Sequence, residues 1–381
     1  DDMSSTRDRG RGALLEATEA ADPTAWSEAT AAQPSPGATE ALVEAINSRE
    51  RLDALTACDS EVRQYDPADF LVIFSCHGRN LPLVIKPLAC LLVWGLAWTL
   101  LLPISEDLRL LVLPLDDLIS PLLTPVSFLL VFRLGRAAVR WWDARSAMGK
   151  VVETCRVLIS TASACAGCRE VRDDVARWTC AFPLAVKNFL RPIERKGHPL
   201  PARHKKWRVE IGGVLSESDA EELLKSPADS YPPVYVLNQL RKLAVLAARE
   251  ANVGDGAMRA MVYRQLNEHI DTLTGAWGAM ERINATPLPF VYVVHLRTFL
   301  TLYLLLWHLQ AIAKHGWVAL PALFVASWAL LGIEAAAVEC ERPFRWQANH
   351  LPLGRMCVVV SGNVAQTLRN VPLTRPRMPE R

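Results

Sequence analysis

The sequence predicts an all-α membrane protein in which four transmembrane helices join a helical domain on the cytosolic or stromal side. Three observations predict it. Of the 381 residues 51% are hydrophobic, and they gather in two blocks, residues 81–142 and 287–338, around a charged and polar middle. The first block ends in Arg133, Arg136, Arg140, Trp141 and Trp142, residue types that mark a membrane interface. The middle carries apolar stripes of helical period, and nothing in it alternates with period two for long enough to make a sheet.

Residues 1–65 read as an N-terminal arm, partly disordered. Positions 1–40 are rich in Ala, Thr, Ser and Pro, with Pro34, Pro36 and Gly37 close together, a composition that buries too little to fold. Positions 38–57 have helical character, with Leu42, Val43 and Ile46 on one side. The chain opens on Asp1, and its Ala/Ser/Thr-rich start leads to the expectation of a processed organellar protein.

Residues 66–142 form the first transmembrane pair. The span at 81–102 holds a single charge, Lys86. At ~1.5 Å per residue it reaches about 33 Å, enough for a hydrocarbon core of about 30 Å. Lys86 lies near its start and can snorkel to the interface, and Pro103 closes it. The second span, 116–142, carries Pro121 and Pro125 in its first half. That pair is costly in a soluble helix. It is tolerated in a membrane helix packed among neighbours or lining water.

Residues 143–286 read as the helical soluble domain. From Arg145 to Arg208 there are 14 Lys/Arg against 5 Asp/Glu, a net of +9 just after an apolar block. The positive-inside rule puts this stretch on the cytosolic side, or the stromal side in a plastid. The turn at 103–114, with Glu106, Asp107 and Arg109, fits the opposite side. One long helix shows in the stripe Val262, Leu266, Ile270, Leu273, Trp277 and Met280, another in Leu237, Leu240, Val245 and Leu246. Residues 287–338 form the second transmembrane pair. Its legs are 288–310, with Tyr292, Tyr303 and Trp307, and 317–338, with a turn at 308–316. Residues 339–381 are a C-terminal segment expected to pack on the soluble domain.

Several chemistries find no support. Nine cysteines are an odd count in a long chain, which argues against a disulfide framework. Cys165 and Cys168 make a lone C-x-x-C, read as structural, because a zinc site needs a second pair or nearby histidines. His198, His204 and His269 are scattered, so no metal and no cofactor is assigned. A net charge of +2 gives no reason to expect nucleic acid. With no Gly-rich phosphate loop, nucleophile elbow or paired carboxylates in a soluble domain, an enzyme is not expected.

Several motifs follow one another along the chain. Phe132 to Arg145 read F-R-L-G-R-A-A-V-R-W-W-D-A-R, and Trp178 to Lys187 read W-T-C-A-F-P-L-A-V-K. Tyr231 to Leu240 read Y-P-P-V-Y-V-L-N-Q-L, and Glu281 to Arg297 read E-R-I-N-A-T-P-L-P-F-V-Y-V-V-H-L-R. Gly332, Ile333 and Glu334 precede Glu339, Glu341, Pro343 and Phe344, and Asn349 to Leu353 follow. In this order and spacing they resemble the bestrophin-like proteins of bacteria, fungi and plant thylakoids. The family patterns are F-R-x-N-x-A-Y-x-R-W-W-E-G-R, P-P-x-Y-V-L-x-Q-L, E-R-I-x-x-T-P-I-P-x-x-Y-x-x-H-L-R and G-I-E…E-x-E-x-P-F. The resemblance runs from about residue 66 to about residue 368.

The resemblance implies a homopentamer with one central pore lined by the second span. It places the narrow neck on Thr124, Phe128 and Phe132, four apart and so on one helix face. Without it, the same phenylalanines read as packing against a neighbouring helix. Arg136, four on from Phe132, is expected to hold an anion just inside the neck. Arg133 is expected to attract anions there, or else to be a positive-inside anchor. Arg140 and Arg145 are assigned to structural salt bridges with Asp143, Glu153 or the acids between Glu334 and Glu341. His295 and Arg297 are expected to be a buried structural polar pair, and Glu334, Glu339 and Glu341 structural polar groups.

There are departures from the family pattern. Its Asn after F-R-x is Gly135, and its Tyr and the following acidic residue are Ala138 and Val139. After Phe344 the family carries an acid-rich stretch, where this chain has Gln347, His350 and Gly354. Calcium needs several carboxylate or carbonyl oxygens, so a calcium clasp like that of animal members is not expected. The function implied is a passive channel for chloride, with bicarbonate as a second permeant anion. Its partners are the lipid bilayer and further copies of itself. Gly135, Ala138, Val139 and the long arm leave a second reading, a bestrophin-fold structural subunit of a larger membrane complex that conducts little. The favoured location is the thylakoid membrane, the alternatives a bacterial inner membrane or another organellar membrane.

Overall fold

The structure, a computed structural model, describes residues 38–57, 59, 62, 68, 81–191, 200–224, 231–345 and 349–371. The expected disordered arm, His198 and Gln347 lie outside the described residues. The chain divides into two units, residues 1–41 and 42–381. Of the first, residues 38–41 are described and belong to the start of helix α1 (Ala38–Ile46). The second unit carries all the remaining elements. Among the described residues every regular element is helical, as the sequence predicts.

Helix α2 (Arg49–Ala57) precedes the first apolar leg, α3 (Leu81–Leu101). Pro103, Pro114 and Pro121 then each sit in a short 3-10 turn, and between them lie α4 (Glu106–Val112) and α5 (Asp116–Ile119). Ser105 starts α4 by accepting a hydrogen bond from the Leu108 N–H. The expected second span is therefore interrupted at Ser120–Leu122 rather than continuous from residue 116. Long helix begins at α6 (Leu123–Cys165). Pro125 falls in its first turn, where the missing N–H would have had no intrahelical partner anyway.

Helix α6 does not stop at Trp142. Its 43 residues span about 64 Å at ~1.5 Å each, twice a hydrocarbon core. Its upstream half is apolar and largely exposed, whereas Ala144, Met148, Val151, Cys155 and Leu158 are buried in the main core. That core is completed by α7 (Arg169–Leu190), α10 (Pro232–Arg249), α11 (Gly256–Ala285) and α14 (Leu353–Asn370). Between α7 and α10 stand α8 (Leu200–Ile211) and α9 (Glu217–Leu224). The expected stripe on α11, Val262 to Met280, is buried at every named position.

Sixteen of the 22 residues of α7 are buried, so its polar groups need internal partners. Lys187 Nζ lies 2.6 Å from Glu210 Oε1, and Asn188 donates to Glu210 Oε2 at 3.1 Å. Arg191, just past the helix, pairs with Asp59 at 3.0 Å and donates to the Phe344 and Leu351 carbonyls. Pro183 lacks the N–H that would bond the Thr179 carbonyl, and the Cys155 thiol lies 3.9 Å from that oxygen. Burial pushes the Cys180 thiol up to about 11, which makes it an inert core group at neutral pH.

Among the described residues, three stretches are long and apolar enough to cross a membrane: Leu81–Ile104, Glu106–Cys165 and Phe290–Glu341. The third is a hairpin of α12 (Phe290–His315) and α13 (Ala319–Glu341). Gly316 breaks it with a φ of +59°. Arg297 meets Glu334, His308 meets Ser327, and Ile312 and Leu320 both approach Gly95, so the two legs run antiparallel. The turn is shorter than the expected 308–316. Nothing breaks the helix before Gly316, and His308 is a buried helical residue. Ile85, Val93, Leu100, Leu111, Leu118 and Phe290 are exposed on these legs, an apolar surface that suits lipid.

Candidate functional site

The two faces of α6 upstream of Trp142 differ. Val126, Leu130, Arg133 and Ala137 are buried. Thr124, Phe128, Phe132 and Arg136 are all exposed and lie in one row. Phe128 is 63% and Phe132 50% exposed, and their rings meet edge-on with centroids 4.6 Å apart and planes at 71°. Gly135 and Val139, two of the departures from the family pattern, are exposed beside this row. Neither phenylalanine is among the buried residues of the described chain, and Phe132 borders a cleft that Tyr292 of α12 also lines. The structure thus brings together, on one exposed face, the four residues expected at the neck and just inside it.

Arg133 corrects the expectation of an anion-attracting role. Its side chain is 1% exposed, with Nε 3.2 Å from Glu334 Oε2 and Nη2 2.7 Å from Glu341 Oε2. A buried guanidinium already paired with two carboxylates is not available to hold a passing anion. Glu334 Oε1 accepts from Arg297 Nε at 2.8 Å, and Glu341 Oε1 accepts from the Leu288 N–H at 2.9 Å. All four carboxylate oxygens are therefore engaged, joining α6, α12, α13 and the start of the third leg.

His295 and Arg297 do not form a buried pair. Both are exposed in the single chain, His295 beside the Phe299 ring at 4.5 Å and Arg297 on Glu334. Arg140 is structural as expected, but through carbonyls rather than carboxylates. It donates to the backbone oxygens of Glu341 (3.1 Å), Thr286 (2.5 Å) and Ile283. Its partners are helix ends, whose last carbonyls lack intrahelical donors. Glu339 is buried with its carboxylate 3.4 Å from His350 Nε2, and Gly354 lies in the first turn of α14. Gln347 lies outside the described residues.

Arg136 makes no hydrogen bond or ion pair among the described residues. It borders a cleft of about 590 Å³ together with Phe132, Val139, Arg140 and Tyr292. Tyr292 donates its hydroxyl to the Leu129 carbonyl at 3.2 Å. Sequence reading also missed the pairing of Arg133 with Glu334. The signal was there: opposite charges inside two apolar stretches, where an unpaired charge is expensive. What was missing was the register that brings them together.

The family described as Bacterial/Fungal Bestrophin protein matches residues 61–366. A voltage-dependent anion channel-forming protein of Nostoc sp. is 27% identical over 312 residues, 77% of this chain and 90% of its own length. A protein of the same description from Synechocystis sp. is 27% identical over 68% of this chain and 80% of its own. A chloroplastic voltage-dependent chloride channel of Arabidopsis thaliana is 24% identical over 66% of this chain and 56% of its own. Among solved structures, a bacterial bestrophin homologue from Klebsiella pneumoniae superposes with a TM-score of 0.61 at 21% identity. The match covers 75% of this chain and 98% of that one. At that identity the likeness speaks for the fold alone.

Proposed function

This chain belongs to the bacterial and fungal bestrophin family, and on that premise we propose that it is the subunit of an anion channel whose neck is the row Thr124, Phe128, Phe132. The observation that carries the proposal is the uncovered face of α6. A helix with one face buried on its own chain and a row of aromatic rings on the other needs something to cover that row. In a closed ring of five subunits the rows face one another across an axis. With the hairpin, the three apolar stretches make four crossings, and the soluble domain stands on one side of the membrane.

The chemistry of such a neck follows from its residues. An anion entering it sheds water. Aromatic rings have a positive edge and a negative face, so inward edges favour an anion over a cation. An apolar constriction also gates by dewetting. Thr124 adds a ring of hydroxyls on one side and Arg136 a ring of charge on the other. Chloride is the anion we assign, with bicarbonate second. Calcium is not required, since His350 and Gly354 stand where the family pattern has acids. The thylakoid membrane is the location we favour, on the strength of the chloroplastic relative.

The test is the symmetry of the protein purified in detergent or nanodiscs. We expect a five-fold assembly with Phe128 and Phe132 on the axis. A monomer or dimer with Phe128 facing lipid would sink the channel reading. A five-fold assembly that carries no current would favour the structural-subunit reading.

A further inference from the structure

Phe132 and Arg133 are neighbours on α6 with opposite surroundings, 50% and 1% exposed. Successive helix residues are about 100° apart. Whatever fixes Arg133 therefore fixes the heading of Phe132 and, one turn back, of Phe128. Nothing on the exposed row does this, because its two rings touch each other. The apolar contacts of Val126, Leu130 and Ala137 on the buried face are non-directional. Directional ties near the neck are the Tyr292 hydroxyl on the Leu129 carbonyl and the ion pairs of Arg133, and of the two acids that hold Arg133, Glu334 is the one that also holds a second arginine. One of its oxygens holds Arg133 on α6 and the other holds Arg297 on α12.

From this geometry we infer that Glu334 is a positioning residue for the neck. It clamps Arg133 between the carboxylates of α13 and thereby sets the angle at which Phe128 and Phe132 face the pore. Glu341 extends the clamp to the Leu288 N–H, and Arg140, seven residues beyond Arg133, ties the same helix to the carbonyls that end α11. A shift of the soluble domain at α11 thus reaches α6 close to the neck. The inference rests on the pore reading above.

The experiment is single-channel recording of the reconstituted full chain: wild type, Glu334→Gln, Phe132→Ala and the double variant. Glu334→Gln keeps the shape and removes the charge. It is expected to change conductance or open probability by about twofold or more, and to change it far less in the Phe132→Ala background, because residues that act as a unit are not additive. Glu334→Asp, which keeps the carboxylate, is expected to recover part of the effect. The same factor in both backgrounds, or no change in either, overturns the inference. If Glu334→Gln fails to assemble, Arg297→Gln takes its place, since it leaves Arg133 on both carboxylates. A smaller shift that again vanishes in Phe132→Ala supports the inference, and an equal shift or none overturns it. Wild-type protein that assembles without current defeats the pore reading itself, and this inference with it.

Discussion

Arg133 and Arg136 are three residues apart on one helix and have opposite fates. Arg133 is enclosed by Glu334 and Glu341, and Arg136 stands free of any ion pair among the described residues beside Phe132. Spacing from the sequence was enough to put Phe128, Phe132 and Arg136 on one face. It was not enough to tell which arginine is spent inside the subunit, because the positive-inside rule assigns a side of the membrane and never a partner. The two roles predict different phenotypes. Phe128→Ala and Phe132→Ala each remove a ring of aromatic edges and shorten the dewetted stretch, so single-channel conductance should rise and chloride-over-sodium preference should fall only in part. Arg136→Ala should lower anion preference with the conductance nearly unchanged. Conductance and reversal potential under a salt gradient report both. Phenylalanine variants that assemble and match wild type would make those rings packing residues.

At the scale of elements, the helical class, the stripe on α11 and the hairpin were legible, because each depends on local period and on breakers such as Gly316. Two features were not. The prolines between residues 103 and 121 break the chain into 3-10 turns whose exact placement depends on α12 and α13 packing beside them. The continuation of α6 to Cys165 was hidden because its surroundings change from largely exposed to buried core at about Trp142 while its backbone does not. The C-x-x-C at the end of α6 is also an element-level feature. Its Gly167 sits against the α10–α11 turn, where an added Cβ would stand 1.9 Å from the Glu250 carbonyl oxygen. The Asn252 N–H donates to the Cys165 carbonyl beside it. A backbone atom cannot step aside as a side chain can, so Gly167→Ala should cost about 1–3 kcal/mol. Gly275→Ala, where nothing lies within 4 Å of the new methyl, should instead stabilise α11 by roughly 0.5–1 kcal/mol. Thermal unfolding of the solubilised protein compares them, and an equal melting temperature for the two variants would remove the close-approach argument.

At the scale of the whole molecule, one continuous helix, α6, runs from the apolar legs into the main core and carries both the candidate neck and the middle of that core. The segment after Phe344 is held by Arg191, through the Phe344 and Leu351 carbonyls, and by the buried contact of His350 with Glu339. Side chains and backbone of this chain tie the segment down at these points. Current should therefore be the same with micromolar calcium and with chelator present. Current that appears only on adding calcium, and is lost in Glu339→Gln or Glu341→Gln, would overturn that expectation. Anions should pass this assembly through the Phe128 and Phe132 rings, and a planar bilayer holding the purified full chain under a potassium chloride gradient shows whether they do. The expected current reverses near the chloride equilibrium potential. Reversal near the potassium potential, or silence from an intact five-fold assembly, would contradict it.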